Sequence, residues 1–364
     1  MPTITELVRT ACTPGPAAAR AAARLMSVLA DAPHRLPEVF HAAAQVTPGE
    51  GDRLLLPRML VGITGAPGSG KSTLTDALIR AYRRRHPDSR LGVVAVDPSS
   101  PFTGGAVLGD RVRMMRHATD PYVFVRSLAS RGHLGGLALG VKGVIRVMGL
   151  IGCEVVFVET VGVGQSEVEV AGVADLVMIV LAPGQGDSIQ LLKAGLMEIG
   201  DLFVVNKADR PDAARLHGDL MSMLRIAQGD ATHHHAGPAG EAEDEDLAGG
   251  PLITRRPGTE IEPQTFLVSG EQGQGIEELV SGLDGLAETH GASWQRHRRE
   301  MIVEEVREAV LEEAGRRVRM TLRAMDERDE PVAAVLNGSL SVGDAGTKLL
   351  RETCRRSRSS TSPP

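Results

Sequence analysis

The stretch Gly65-Ala66-Pro67-Gly68-Ser69-Gly70-Lys71-Ser72-Thr73 gathers glycines, an ammonium and hydroxyls into one short segment. Glycines at 65, 68 and 70 let the backbone turn its N–H groups inward around an anion, and Lys71 brings a point charge to the same place. All four fixed positions of G-x-x-x-x-G-K-[ST] are met. The apolar run Met59-Leu60-Val61-Gly62-Ile63 precedes it and Leu74-Thr75-Asp76-Ala77-Leu78-Ile79 follows, so the loop falls where a buried strand ends and a helix begins. The positive end of that helix faces whatever the loop holds. This context sets a phosphate-binding loop apart from an ordinary Gly-rich turn. Lys71 then suits the space between β- and γ-phosphates, and the Ser72 hydroxyl suits Mg²⁺, so the loop implies a nucleoside triphosphate.

A second set of residues selects the base. Asn206-Lys207-x-Asp209 closes an apolar run, and the Asp209 carboxylate can accept two hydrogen bonds from the ring N–H and exocyclic amine of guanine. Adenine offers no such donor pair. Ser269-Gly270-Glu271, at the end of another run, is placed to close over the base. Asp97, Asp110 and Glu159 stand at strand ends or just beyond, where with Ser72 they can hold Mg²⁺ directly or through water.

Phosphoryl transfer needs charge neutralisation and an aligned water more than covalent help, so Lys71, Mg²⁺ and backbone amides are expected to carry most of it. Gly162 is placed for its N–H to meet the γ-phosphate. Gln165 is a candidate to orient the water, and an ordinary surface glutamine is the other reading. Arg111, Arg113 and Arg131 are open as charge partners; spacing fixes none of them.

The elements that must position these groups read as α/β. From 57 to about 290, apolar strands (59–63, 91–96, 122–125, 154–158, 175–181, 201–205, 265–268) alternate with helices, the pattern of a mostly parallel sheet covered on both faces. Most strands end in polar residues, and ligands of open α/β sheets bind at those carboxyl ends. Residues 1–56 read as short helices, with Leu25, Met26 and Leu29 along one side of 16–30. Residues 229–258, with His233-His234-His235 and an acidic run, read as a flexible polar insertion; a metal at the histidines is the lesser reading. From 292 a long helix carries Trp294, Met301, Ile302, Val306, Val310, Val318 and Leu322 as a narrow apolar stripe, which either lies back on the nucleotide domain or pairs with a second copy. A helix over 342–352 completes a 291–354 segment, and 355–364 reads as a disordered tail.

Forty basic against 46 acidic side chains leave a formal charge of −6, which argues against non-specific nucleic-acid binding and against a basic membrane-surface patch. Aromatics make up 2%, so the core must be aliphatic. Cys12, Cys153 and Cys354 form no C-x-x-C pair, and the apolar stretch near 134–152 is broken by Lys142 and Arg146. The expectation is a cytoplasmic protein with small-molecule or protein partners, and no nucleic acid or membrane among them.

Longer strings resemble one family. Val96-Asp97-Pro98-Ser99-Ser100-Pro101-Phe102-Thr103-Gly104-Gly105, Leu108-Gly109-Asp110-Arg111, Arg131-Gly132-His133-Leu134-Gly135-Gly136 and Glu159-Thr160-Val161-Gly162-Val163-Gly164-Gln165-Ser166-Glu167 look like the MeaB/ArgK GTPases. Pro183-Gly184-x-Gly186-Asp187 and Met197-Glu198-Ile199 extend the match, in family order, over roughly 59–290. The resemblance implies a P-loop metallochaperone GTPase that associates with an adenosylcobalamin-dependent acyl-CoA mutase, typically methylmalonyl-CoA mutase, and gates cofactor loading or reactivation. It also implies Asp97, Asp110 and Glu159 as Mg²⁺-associated acids, a switch loop over 182–193 including Asp187 and Lys193, and a C-terminal homodimerisation arm. Two other readings are a nickel-insertion GTPase, for which only His233 to His235 offer ligands, and a transport-associated protein kinase using ATP.

Overall fold

The computed structural model describes residues 2–46, 55–98, 115–117, 119–130, 139–160, 170, 172–184, 198–227, 261–322 and 330–359. They fall into two compact units, 1–298 and 299–364. In the first, the strands are β1 (Met59–Thr64), β2 (Arg90–Pro98), β3 (Val123–Ser130), β4 (Cys153–Thr160), β5 (Leu176–Leu181), β6 (Leu202–Val205) and β7 (Gln264–Leu267), of which β1, β5 and β6 are almost wholly apolar runs. Every pairing among them is parallel, in the order β3-β2-β4-β1-β5-β6-β7. β1, β5 and β6 are buried along their whole length, as strands covered on both faces must be. Each fully buried aliphatic side chain contributes about 1.5–3 kcal/mol. Fully buried Leu74, Leu78, Leu91 and Met178 supply that with few aromatics.

The order has a functional consequence. The chain lays β2, β3 and β4 to one side of β1 and β5, β6 and β7 to the other. The carboxyl end of β1 is therefore a topological switch point, where the flanking connections diverge and leave a crevice. The nine-residue glycine-rich motif begins directly after β1.

The helices are α1 (Ile4–Cys12), α2 (Ala18–Asp31), α3 (Leu36–Val46), α4 (Lys71–Arg85), α5 (Leu139–Leu150), α6 (Ala213–Ala227), α7 (Ile276–Leu322), α8 (Glu330–Leu336) and α9 (Val342–Ser359). A reciprocal Thr3/Glu6 capping box starts α1. α2 packs on α5 with fully buried Leu29 in the contact, so the amino-terminal helices belong to the same unit as the sheet.

Several boundaries differ from the sequence expectation, at both ends of the carboxyl-terminal helices above all. α7 begins at Ile276 rather than 292, because Ile276, Leu279, Val280, Leu283 and Leu286 already bury a helical stripe. Trp294 is buried in the core of the first unit, and the division falls after Arg298 rather than at 290. The disordered tail expected from 355 is corrected over 355–359, which are helical: Arg351 to Ser359 contains no Gly or Pro to stop α9, and its arginines favour the negative end of a helix.

The sheet's amino edge is tied by aspartates. Asp175 accepts from the backbone N–H of Leu60 at 2.7 Å and forms a two-pronged ion pair with Arg298 (2.8 and 2.5 Å), while Asp201 accepts from the N–H of Val177 at 2.8 Å. Asp175 is 2% and Arg298 11% exposed, so removing the carboxylate strands a buried guanidinium and an N–H together. Asp175→Ala is expected to cost about 3–5 kcal/mol in urea unfolding of the full chain. A loss below about 1 kcal/mol would mean that water replaces the pair.

Candidate nucleotide-binding site

Gly65 leaves β1 with φ +138°, and a Cβ there would lie 2.2 Å from the Val180 carbonyl oxygen, so only glycine fits the entry to the loop. The loop turns back on itself through a hydrogen bond from the Ser69 N–H to the Ala66 carbonyl (3.2 Å) and then starts α4 at Lys71. Lys71 Nζ donates to the carbonyls of Gly65 (2.7 Å) and Ala66 (3.0 Å) with the side chain buried. The ammonium is thus held inside its own loop. Ser69 is fully buried, and its Oγ has no hydrogen-bond partner among the described residues. An unmet buried hydroxyl costs about 1–3 kcal/mol, which an anionic oxygen in the hollow would recover.

The first turns of α4 meet the end of β4. Ser72 Oγ donates to Glu159 Oε1 at 2.5 Å and Thr75 Oγ1 to Oε2 at 3.2 Å, so both oxygens of a buried carboxylate are oriented from one helix face. Asp97 lies near the carboxyl end of β2, opposite Ala129 in the register, on the same edge of the sheet. No group of three or more His, Cys, Asp or Glu side chains that could hold a metal occurs among the described residues. Ser72 and Glu159 nonetheless fit Mg²⁺, which takes hard oxygens, keeps several waters and needs only one or two carboxylates.

On the other side of the loop, Asn206 Nδ2 donates to the carbonyls of Ser69 (3.0 Å) and Gly70 (3.3 Å), while its Oδ1 accepts from the Gly270 N–H (3.0 Å). One buried amide therefore joins three segments distant in sequence. Lys207, at φ +61°, lays its Nζ against the Gly68 carbonyl at 2.7 Å. Ser269 Oγ donates to Asp209 Oδ1 at 2.7 Å and itself accepts from the Gln272 N–H at 3.2 Å. That hydroxyl, with help from the Asp209 backbone and the nearby Arg210 and Lys207 charges, holds the exposed Asp209 carboxyl below the usual carboxylate range. Glu271 is exposed beside them.

A family model and a relative matched over most of its length both show the family. The model described as Methylmalonyl Co-A mutase-associated GTPase MeaB matches residues 57–322. The chain belongs to the MeaB family. GTPase ArgK of Escherichia coli is 36% identical over 255 residues, 70% of this chain and 69% of that protein. A Pyrococcus horikoshii protein named as a GTPase is 57% identical over 167 residues, 46% of this chain, and the chain spans only about half of that relative's length (52%). A crystal structure of an LAO/AO transport system kinase shares the fold, with a TM-score of 0.59 at 24% identity over 95% of this chain and 96% of that one.

In this MeaB-family chain the described residues bring together Gly65 to Thr73, Glu159, Asn206, Lys207, Asp209 and Ser269 to Glu271. Asp110, Gly162, Gln165, Asp187, Lys193, Arg111, Arg113, Arg131 and His233 to His235 lie outside the described residues. Thr75 was not anticipated from the sequence, although its spacing of three from Ser72 places both hydroxyls on one helix face. Burial pushes the Cys153 thiol up to about 12 and raises that of Cys12 as well, so neither is primed as a nucleophile or metal ligand. Among the described residues no helix is long and apolar enough to cross a membrane.

Proposed function

We propose that this chain binds and hydrolyses GTP with Mg²⁺, and uses the presence of the γ-phosphate to gate cofactor loading, protection or reactivation on an adenosylcobalamin-dependent acyl-CoA mutase. The observation that carries the reading is Asn206, whose one side chain holds the phosphate loop and the Ser269-Gly270 turn together: a phosphate hollow and a guanine-selective carboxylate become one site. The mutase follows from the family's description, methylmalonyl Co-A mutase-associated.

In this reading Lys71 exchanges its loop carbonyls for β- and γ-phosphate oxygens. Ser72 and Glu159 hold the metal, together with Asp97 and Asp110, and Thr75 keeps Glu159 in register. Bound Mg²⁺ supplies neutralisation of the charge that accumulates on the phosphates. Gly162 and Gln165 serve the γ-phosphate and the attacking water, and the loop containing Asp187 and Lys193 reports nucleotide state. A switch of this kind works only if the partner's affinity differs between the two nucleotide states. In the second unit, Val303, Val306 and Val310 are exposed at helical spacing, which suits a homodimerisation arm.

The test is retention of a cobalamin-dependent acyl-CoA mutase on the immobilised chain loaded with a non-hydrolysable GTP analogue, with GDP, or with neither. Retention that changes with the nucleotide is expected. Equal retention in all three states would remove the switch, and no calorimetric heat of GTP association with Mg²⁺ present would remove the nucleotide site itself.

A further inference from the structure

We propose that Arg116 contacts the α-phosphate of the bound nucleotide and that a buried histidine–aspartate pair holds it there. This inference rests on the GTP reading and adds a residue that neither the glycine-rich loop nor the base motif contains. A pocket of about 340 Å³ opens along the first turns of α4, walled by Ser72, Thr73, Asp76, Arg80, Arg116, Gly270 and Glu271. Its two ends are fixed by contacts already described. Ser72 reaches the metal-side carboxylate Glu159, and Gly270 is bonded to Asn206 on the base side. A guanine nucleotide spanning those ends must lay its α-phosphate and ribose across Ser72 and Thr73, through this pocket.

The charges in the pocket then decide the assignment. Arg80 is committed to Asp76, 3.1 Å away on the same helix face. Arg116 is exposed and has no ion-pair partner among the described residues, so it is a cation available to a phosphate. The three-residue turn Met115–His117 has too few hydrogen bonds of its own to place that side chain. The next residue supplies the anchor: His117 is 8% exposed and its Nε2 lies 2.8 Å from Oδ1 of Asp76, which is 6% exposed. The His117 carbonyl also accepts from the Asp120 N–H at 3.0 Å. The turn is thereby bolted to α4 itself, the helix whose first residues form the phosphate hollow. Asp76 serves both neighbours, with Oδ1 for His117 and Oδ2 for Arg80, so Arg116 is left for the ligand.

The experiment is a competition titration of the full chain with guanosine, GMP, GDP and GTP against a fluorescent GDP, comparing unaltered protein with Arg116→Ala, Arg116→Lys and His117→Ala. Arg116→Ala is expected to weaken GMP, GDP and GTP by one common factor of roughly ten- to a hundredfold, the loss of a charge-assisted hydrogen bond, and to leave guanosine unchanged. Arg116→Lys should recover part of that factor. His117→Ala, acting only through the position of the turn, should show a smaller loss with the same pattern across the four ligands. A loss confined to GTP would move Arg116 to the γ-phosphate, and equal losses for guanosine and GMP would make it a packing residue; either overturns the proposal, as does no loss at all. If the unaltered chain binds none of the four, the GTP reading fails as well. Tight binding with Arg116→Ala unchanged overturns this inference alone.

Discussion

Lys71→Ala is expected to lower GTP turnover by at least about 10²–10³-fold, the range for removing one preorganised group from a developing negative charge. The geometry says why the effect should fall on the reaction rather than on folding. In the free protein the ammonium is satisfied by the Gly65 and Ala66 carbonyls, at 2.7 and 3.0 Å. Losing it costs hydrogen bonds worth roughly 1–3 kcal/mol, and two loop carbonyls can turn to water. At the transition state there is no such substitute, because the charge developing on the γ-phosphoryl group must be met by a cation already positioned in the hollow. Thermal unfolding of the variant should therefore shift little while single-turnover hydrolysis collapses. Normal turnover would rule out the phosphate-loop mechanism.

How much of this was legible beforehand differs by element, for physical reasons. Strands buried on both faces announce themselves as uninterrupted apolar runs, so β1, β4, β5 and β6 were readable to within two residues. The apolar run of β3 ends at Val125, yet the strand continues through Ser130 because backbone pairing with β2, from Val94 to Pro98, does not require apolar side chains. The first turns of α7 carry Gly282, Gly285 and Gly291, residues of low helix propensity. At Gly282 the reason is packing, since a Cβ there would come within 2.7 Å of the Phe266 ring. At the site, the glycine-rich loop and Asn206-Lys207-x-Asp209 were legible because their spacing is local. What joins them was not. That Asn206 clasps the loop, that Ser269 orients Asp209, and that His117 reaches Asp76 are contacts between segments 41 to 137 residues apart, set by strand order rather than by spacing.

Strand order is also what makes the base site testable by exchange of a single atom. Asp209→Asn is expected to weaken GTP by about 10²–10³-fold and to move preference toward xanthosine triphosphate, because one acceptor facing the guanine amine becomes a donor. The Ser269 contact fixes which acceptor changes. Its Oγ already accepts from the Gln272 N–H, so its proton continues to seek an oxygen at the Oδ1 position, and the new amide nitrogen falls at the other. With that nitrogen toward position 2 of the base, a guanine amine meets a donor, whereas the C2 carbonyl of xanthine accepts from it. The same contact sets the pH response. The carboxyl of Asp209 is held below its ordinary value, so the ionised form, and guanine binding with it, persists as pH falls through the usual carboxylate range near about 4 and is lost only below it. Competition binding with both triphosphates at neutral pH reads the first effect, and guanine binding retained at about pH 4, where an ordinary carboxylate is about half protonated, reads the second. Unchanged GTP affinity in the variant would remove Asp209 from the base site.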